Sequence, residues 1–166
     1  MMKKIFLFML VFVAASCVRP GDVSYDGIES VKLRSVGTAQ TDVDVFVRAS
    51  NASGTTVTLV RADLELNRDE SVLLRASVDE KVKLPRRSEE VSVRIPVRVR
   101  FEGGMLGALG VMKTLSRGAS GTTVSGTVIV RAGAARKKYR IEKMETDRFL
   151  HRFGIDLSDI SRGIGL

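Results

Sequence analysis

The feature that most constrains this fold is the stretch Val91–Phe101. Val91, Val93, Ile95, Val97, Val99 and Phe101 alternate without interruption with Ser92, Arg94, Pro96, Arg98 and Arg100. Successive side chains of a β-strand point to opposite faces, so strict period-two alternation puts one set in a core and the other in water. A helix would scatter the same residues around its circumference. Three other stretches repeat the pattern. Val43, Val45, Val47 and Ala49 alternate with Asp44, Phe46 and Arg48, where Phe46 alone breaks the rule. Val60, Ala62, Leu64 and Leu66 alternate with Arg61, Asp63 and Glu65, and Val124, Gly126, Val128 and Val130 form the last run. Turn-forming residues separate the runs at Gly37, Asn51–Gly54, Asn67–Glu70, Pro85–Ser88 and Gly118–Gly121.

These signals predict an all-β fold, an antiparallel β-sandwich of about seven strands of the fibronectin or immunoglobulin-like kind. The expected strands are 26–36, 41–51, 56–67, 71–79, 89–101, 121–131 and 136–145. Val57 and Leu59 are out of phase with the run from Val60, which predicts a bulge near residue 59 or 60. Pro96 has no amide hydrogen to donate, so its strand is expected to be an edge or to be bulged there. Residues 103–116 depart from the β pattern. Met105, Leu109, Met112 and Leu115 recur at helical spacing and predict one short helix between late strands. That helix either caps an open end of the sandwich or, with Met105, Leu109 and Met112, forms a lid over an apolar cavity. Residues 146–166 carry Phe149, Leu150, Phe153, Ile155, Leu157 and Ile160 and are expected to return along the domain and pack.

The beginning of the chain predicts an address. Lys3 and Lys4 precede an apolar run from Ile5 to Val13, then Ala14, Ala15, Ser16 and Cys17, the only cysteine. A basic start, a short apolar middle and small residues before the cleavage point describe a signal peptide. The run falls short of the ~20 residues that a spanning helix needs. Small residues directly before a cysteine resemble a lipobox, which predicts a lipoprotein signal peptide at 1–16, an acylated Cys17 and a tether through residue 24. An ordinary secretory signal that leaves Cys17 free is the alternative, and a lone thiol in an oxidising compartment would be a liability. Two or three acyl chains attach a protein durably, since each buried methylene contributes ~0.8 kcal/mol. The expected location is the bacterial cell envelope, on the outer membrane facing the periplasm.

Charge bears on partners. The chain carries a formal charge of +8, and loss of Lys3 and Lys4 with the signal peptide would leave +6. No closely interleaved basic and aromatic residues argue for nucleic acid. Anionic lipid, the sugar-phosphate of an outer membrane or an envelope protein suits the charge better. Arg136, Lys137, Lys138 and Arg140 are the densest basic cluster. They read either as a strand edge protected from pairing or as a contact for anionic headgroups.

Chemistry is hard to find in this chain. His151 is the single histidine, among Leu150, Arg152 and Phe153. The glycines at 103, 104, 107 and 110 match neither the dinucleotide nor the phosphate-loop spacing, and no G-x-S-x-G occurs. The carboxylate pairs Asp79–Glu80, Glu89–Glu90 and Asp42 with Asp44 fall in turns or on solvent faces. No enzyme and no cofactor is expected.

The strand ending "VFVRASN", the segments "LVRADLEL" and "LLRASVDEKVKLPRRSEEVSVRIPVRV", the loop-helix "GGMLGALG" and the strand "VSGTVIV" together resemble the type 2 late-embryogenesis-abundant family, also called the water-stress and hypersensitive-response domain. The shared features are an asparagine closing an early apolar strand, an "LP" turn before a long strand with an internal proline, and a glycine in the next-to-last strand, here Gly126. The family often has Asn-Pro-Asn where this chain has Ser50-Asn51-Ala52. Asn51 still suits the turn, because asparagine tolerates left-handed geometry and can close an Asx-turn. The resemblance implies a single β-sandwich over residues 25–145, a non-enzymatic binding, protective or stress-related role and, for some extended relatives, the handling of lipid. A carrier of lipid or another apolar ligand is therefore the alternative function.

Overall fold

The computed structural model describes residues 22–153 and 155–156. Eight strands occur in it: β1 (Val23–Val36), β2 (Gln40–Asn51), β3 (Val57–Arg68), β4 (Ser71–Val78), β5 (Val82–Leu84), β6 (Ser88–Phe101), β7 (Thr122–Ala132) and β8 (Ala135–Glu145). Helix α1 (Gly104–Ser116) joins β6 to β7, and α2 (Thr146–Phe153) follows β8. All strand pairs are antiparallel, in the order β1-β2-β6-β4-β3-β7-β8, with β5 also on β3.

The path doubles over at β4. That strand pairs with β3 over its whole length, but with β6 only from Leu74↔Phe101 to Ser77↔Arg98. One wall is therefore β1-β2-β6, and the other is β3 with β5, β7 and β8. Val93, Ile95 and Val97 of β6 face Ala62 and Leu59 of β3 and Val128 of β7 across the interior. A second cluster joins Val23, Ala49, Val57, Leu84 and Ala132, and a third joins Leu66, Val111 and Val124 with Phe101, Leu115 and Phe149. The antiparallel sandwich expected from the alternation is the architecture observed.

The register agrees with the pattern along β6 except at Pro96, which is buried between the exposed Arg94 and Arg98. Arg94, Arg98 and Arg100 are exposed, while Val93, Ile95 and Val97 are core residues. Phe46, the exception in β2, sits on the solvent face with the Lys32 ammonium 5.0 Å from its ring centre. The bulge falls between Leu59 and Arg61, where β3 slips against β7. Val60 is the inserted residue, which is why core positions change from 57 and 59 to 62, 64 and 66. Pro96 lies beyond the last β4–β6 pair, on a stretch of β6 that has β2 on one side only.

Two differences stand out. A strand, β5, falls between the expected strands 71–79 and 89–101; three residues are too few to display a period. The terminal stretch begins as a helix, with Phe149 packed into the third cluster. The hydroxyls of Thr122 and Thr146, both buried, lie 2.7 Å apart and tie its start to β7.

The sandwich has two dissimilar ends. At the amino-terminal end, Val23 pairs with Asn51, Val57 with both Leu84 and Ala132, and β8 begins. At the other end lie the β1–β2 turn, the last residues of β6 and α1.

Candidate functional site

Asn51 is completely buried. Its Nδ2 donates to the carbonyls of Thr55 (2.9 Å) and Leu84 (3.4 Å). Its Oδ1 accepts from the Ser53 amide (3.1 Å) and the Ser53 hydroxyl (2.6 Å). The Asn51–Ser53 amide bond is the Asx-turn that the sequence suggests, and the bond to Leu84 staples β2 to β5. All four bonding positions of the carboxamide are filled, so this is a structural knot rather than a reactive one. It organises the end where the chain enters, since the Ala52 amide also donates to the Asp22 carbonyl (2.6 Å).

Two groups of basic residues, one on β6 and one on β8, look alike in sequence and differ in their surroundings. Arg94 and Arg98 of β6 are neutralised. Arg94 Nε is 2.9 Å from Asp44, which also faces Arg34 at 3.4 Å. Arg98 reaches Asp79 at 3.1 Å and Asp42 at 3.5 Å. The Arg94 hydrogen bond, with the charges of Arg94, Arg34 and Lys32, holds the Asp44 carboxyl below the usual range despite desolvation. Arg75 bridges Glu65 on β3 and Glu102 in the turn after β6. Two of the three arginines on the β6 ridge thus belong to a lattice of mixed sign, and the third, Arg100, donates to the Gln40 side chain at 3.4 Å.

The β8 group is different. Arg136, Lys137, Lys138 and Arg140 are exposed on an edge strand, and among the described residues none of them is in an ion pair. Their partners across the ladder are Arg131, Val130, Ile129 and Thr127, none acidic. Val128 and Val130 face the core, so Arg136, Lys138 and Arg140 share the outer face with Arg131. Lys137 belongs to the other face, with its ammonium 5.3 Å from the centre of the Tyr139 ring. The cluster is therefore Arg131, Arg136, Lys138 and Arg140. Arg131 opposes Arg136 directly, a like-charge pairing that disfavours the isolated sheet. Sequence reasoning missed Arg131. The signal was there, because the two-residue loop Gly133-Ala134 fixes which residues face each other.

The expectation of a lid at Met105, Leu109 and Met112 is corrected. These side chains are 64%, 58% and 48% exposed, and Leu106 is 81% exposed. The helix turns Val111, Thr114 and Leu115 inward instead, where Val111 and Leu115 meet Leu66, Val124 and Phe101. Gly107 marks where the helix meets the turn that precedes it. A side chain there would collide with the Glu102 carbonyl oxygen, so the helix lies close against the chain that leads into it. The helix does cap that end of the sandwich.

A groove of about 310 Å³ follows the free side of β6, between Val91, Val93 and Pro96 on one flank and Val82, Lys83 and Pro85 on the other. Glu80, Lys81 and Arg94 also line it, so its walls are as charged as they are apolar. The Arg98–Asp79 pair stands at the fork where β4 rejoins β6.

His151 is exposed on α2. Among the described residues no group of three or more histidine, cysteine, aspartate and glutamate side chains could hold a metal ion, and no helix is long and apolar enough to cross a membrane. Cys17 and the expected signal peptide lie outside the described residues. The Tyr139 hydroxyl is buried without a hydrogen-bond partner, and desolvation raises its pKa.

No family model matches the chain, and no curated protein matches it. Among solved structures, the chain is similar to one described as "Crystal structure of protein from Archaeoglobus fulgidus", with a TM-score of 0.47 and 10% identity, covering 71% of this chain and 91% of that one.

Proposed function

We propose that the chain is a non-enzymatic lipoprotein of the bacterial cell envelope, held in a membrane by an acylated Cys17, whose sandwich rests its β8 edge on an anionic surface. The observation that carries this reading is the contrast between the two basic groups. Arg94 and Arg98 of β6 have carboxylate partners at 2.9–3.5 Å, whereas Arg131, Arg136, Lys138 and Arg140 stand together with none among the described residues. The four begin at the end of the sandwich where the chain enters at Asp22, which is five residues beyond Cys17. Phosphate headgroups or the sugar-phosphate of an outer membrane supply the missing counter-charge, at ~1 kcal/mol for each cation held at the surface. An acyl anchor and a basic patch are two signals acting on one bilayer.

The relation to the type 2 late-embryogenesis-abundant domain, and with it a protective or stress-related role, belongs to the same proposal. Its support is local: Asn51 closes its turn through a filled hydrogen-bond network, and Gly126 occupies a position where a side chain would strike the Asp63 carbonyl. The carrier reading has less support. Three side-chain clusters run through the interior, and the groove beside β6 is flanked by Lys81, Lys83 and Glu80. Expression of full-length Cys17→Ser tests the anchor. That variant should accumulate as uncleaved precursor and leave the detergent phase on partitioning. Wild-type processing and partitioning would contradict the lipoprotein reading.

A further inference from the structure

The outward face of α1 is unusual for an exposed helix. Met105, Leu106, Leu109 and Met112 fall on one side at helical spacing, and all four are turned to solvent. Exposed helices ordinarily place polar residues there. The inward face is already occupied by the third core cluster, so this surplus of apolar surface is not needed to hold the fold.

We propose that this face is a self-association surface, on which a second copy of the chain packs its own α1 antiparallel to the first. Three observations favour a second copy. Gly110 lies on the outward side with open space around it, which allows another helix backbone to approach closely. Glu102 precedes the helix, half exposed beside the Arg75 guanidinium it pairs with, while the exposed Lys113 and Arg117 end it. An antiparallel pair sets Glu102 of each copy beside the basic end of its partner and opposes the two helix dipoles. The four apolar side chains expose on the order of 500 Å², so their full burial in two copies reaches roughly 1,000 Å², the lower bound for a specific interface. Methionine at two of the four positions suits a surface that must adapt to its own image. The anchoring bilayer is a poorer occupant, because the chain enters at the opposite end of β1, on the order of 40 Å away. This inference is independent of the β8 cluster.

The test uses the full chain in whole cells. Leu109 is at the middle of the face and hence closest to its own copy across a two-fold axis. Leu109→Cys should give a covalent dimer on mild oxidation, well above the yield from the parent chain and from Arg136→Cys on β8. Adding Leu106→Lys should abolish that dimer while leaving the circular dichroism and melting temperature of the purified protein unchanged. A yield at Leu109→Cys no higher than at Arg136→Cys would overturn the proposal. So would a dimer that survives Leu106→Lys. If Leu106→Lys instead weakens capture by phospholipid vesicles and no dimer forms, the face belongs to a bilayer and the self-association reading fails.

Discussion

The two ends of this sandwich close off its core differently. At the amino-terminal end, the chain ties itself down with polar groups: Asn51 is fully buried and fully bonded, and the turns around it hold Asp22, Leu84 and Thr55. At the other end, a helix covers the core with Val111 and Leu115 and turns four apolar side chains outward. The first end is satisfied internally and carries unpaired positive charge on its rim. The second is covered internally but leaves apolar surface over. One end is thereby suited to an anionic surface and the other to an apolar one, and substitutions should affect the two ends differently.

The largest effects should come from breaking what both ends depend on, the facing walls. Val97→Asp puts an unpaired charge in the second core cluster and should cost several kcal/mol, enough to unfold a marginal domain. The adjacent change Arg98→Ala, on the solvent face, should cost about 1 kcal/mol or less. Chemical denaturation of the two variants measures the difference, and similar midpoints would mean that the register of β6 is wrong by one residue. Gly126→Ala belongs in the same class, since its Cβ would meet the backbone of Asp63 and Leu64 and its φ is +153°. A loss of about 3 kcal/mol is expected.

Next in size is the knot at the amino-terminal end. Asn51→Ala removes four hydrogen bonds and leaves the Leu84 carbonyl without its side-chain donor, at a cost of about 2–4 kcal/mol. Hydrogen exchange would sharpen the comparison: the amides of Ala52 and Ser53 should lose protection first, while those around Val111 keep theirs. Loss spread evenly over both ends would show that the two are not separate units.

A smaller effect is tied to pH. The carboxyl of Asp44 is held below its usual range by Arg94, so the stabilisation it gives is complete above the ordinary carboxylate pKa and is lost as pH falls through the folded value. Thermal melts in acid should therefore converge for wild type and Asp44→Asn, and separate near neutrality, with wild type the more stable. The smallest effect is expected at Tyr139→Phe. Removing a buried hydroxyl that has no partner should leave stability unchanged or raise it by up to ~1 kcal/mol.

Much of this was legible in the chain because period two is a strong signal where one face of a strand is buried. The β6 register, the bulge at Leu59–Arg61 and the outward Phe46 all follow from it. A three-residue strand such as β5 carries no period and is defined only by its pairing with Val57–Leu59. The face of α1 was unreadable for another reason. Apolar residues lie on both sides of the helix, and what selects Val111 over Leu109 is the packing that Leu66, Val124 and Phe101 offer to one side, a tertiary fact. The meaning of the basic residues likewise depends on their cross-strand neighbours. Arg94 and Lys138 look alike in sequence, but Asp44 stands beside one and no carboxylate beside the other.

The central claim is that the unpaired cations on β8 meet an anionic surface, and vesicle binding tests it most directly. The chain from residue 22 onward, without an acyl group, should bind phosphatidylglycerol-rich vesicles and not phosphatidylcholine vesicles, and binding should fall steeply with salt as the screening length shortens to ~8 Å. Arg136→Ala with Lys138→Ala should weaken it by ~2 kcal/mol, or about thirtyfold, whereas Arg94→Ala with Arg98→Ala should change it little. Binding that ignores salt, or that the β6 pair weakens as much as the β8 pair, would contradict the account.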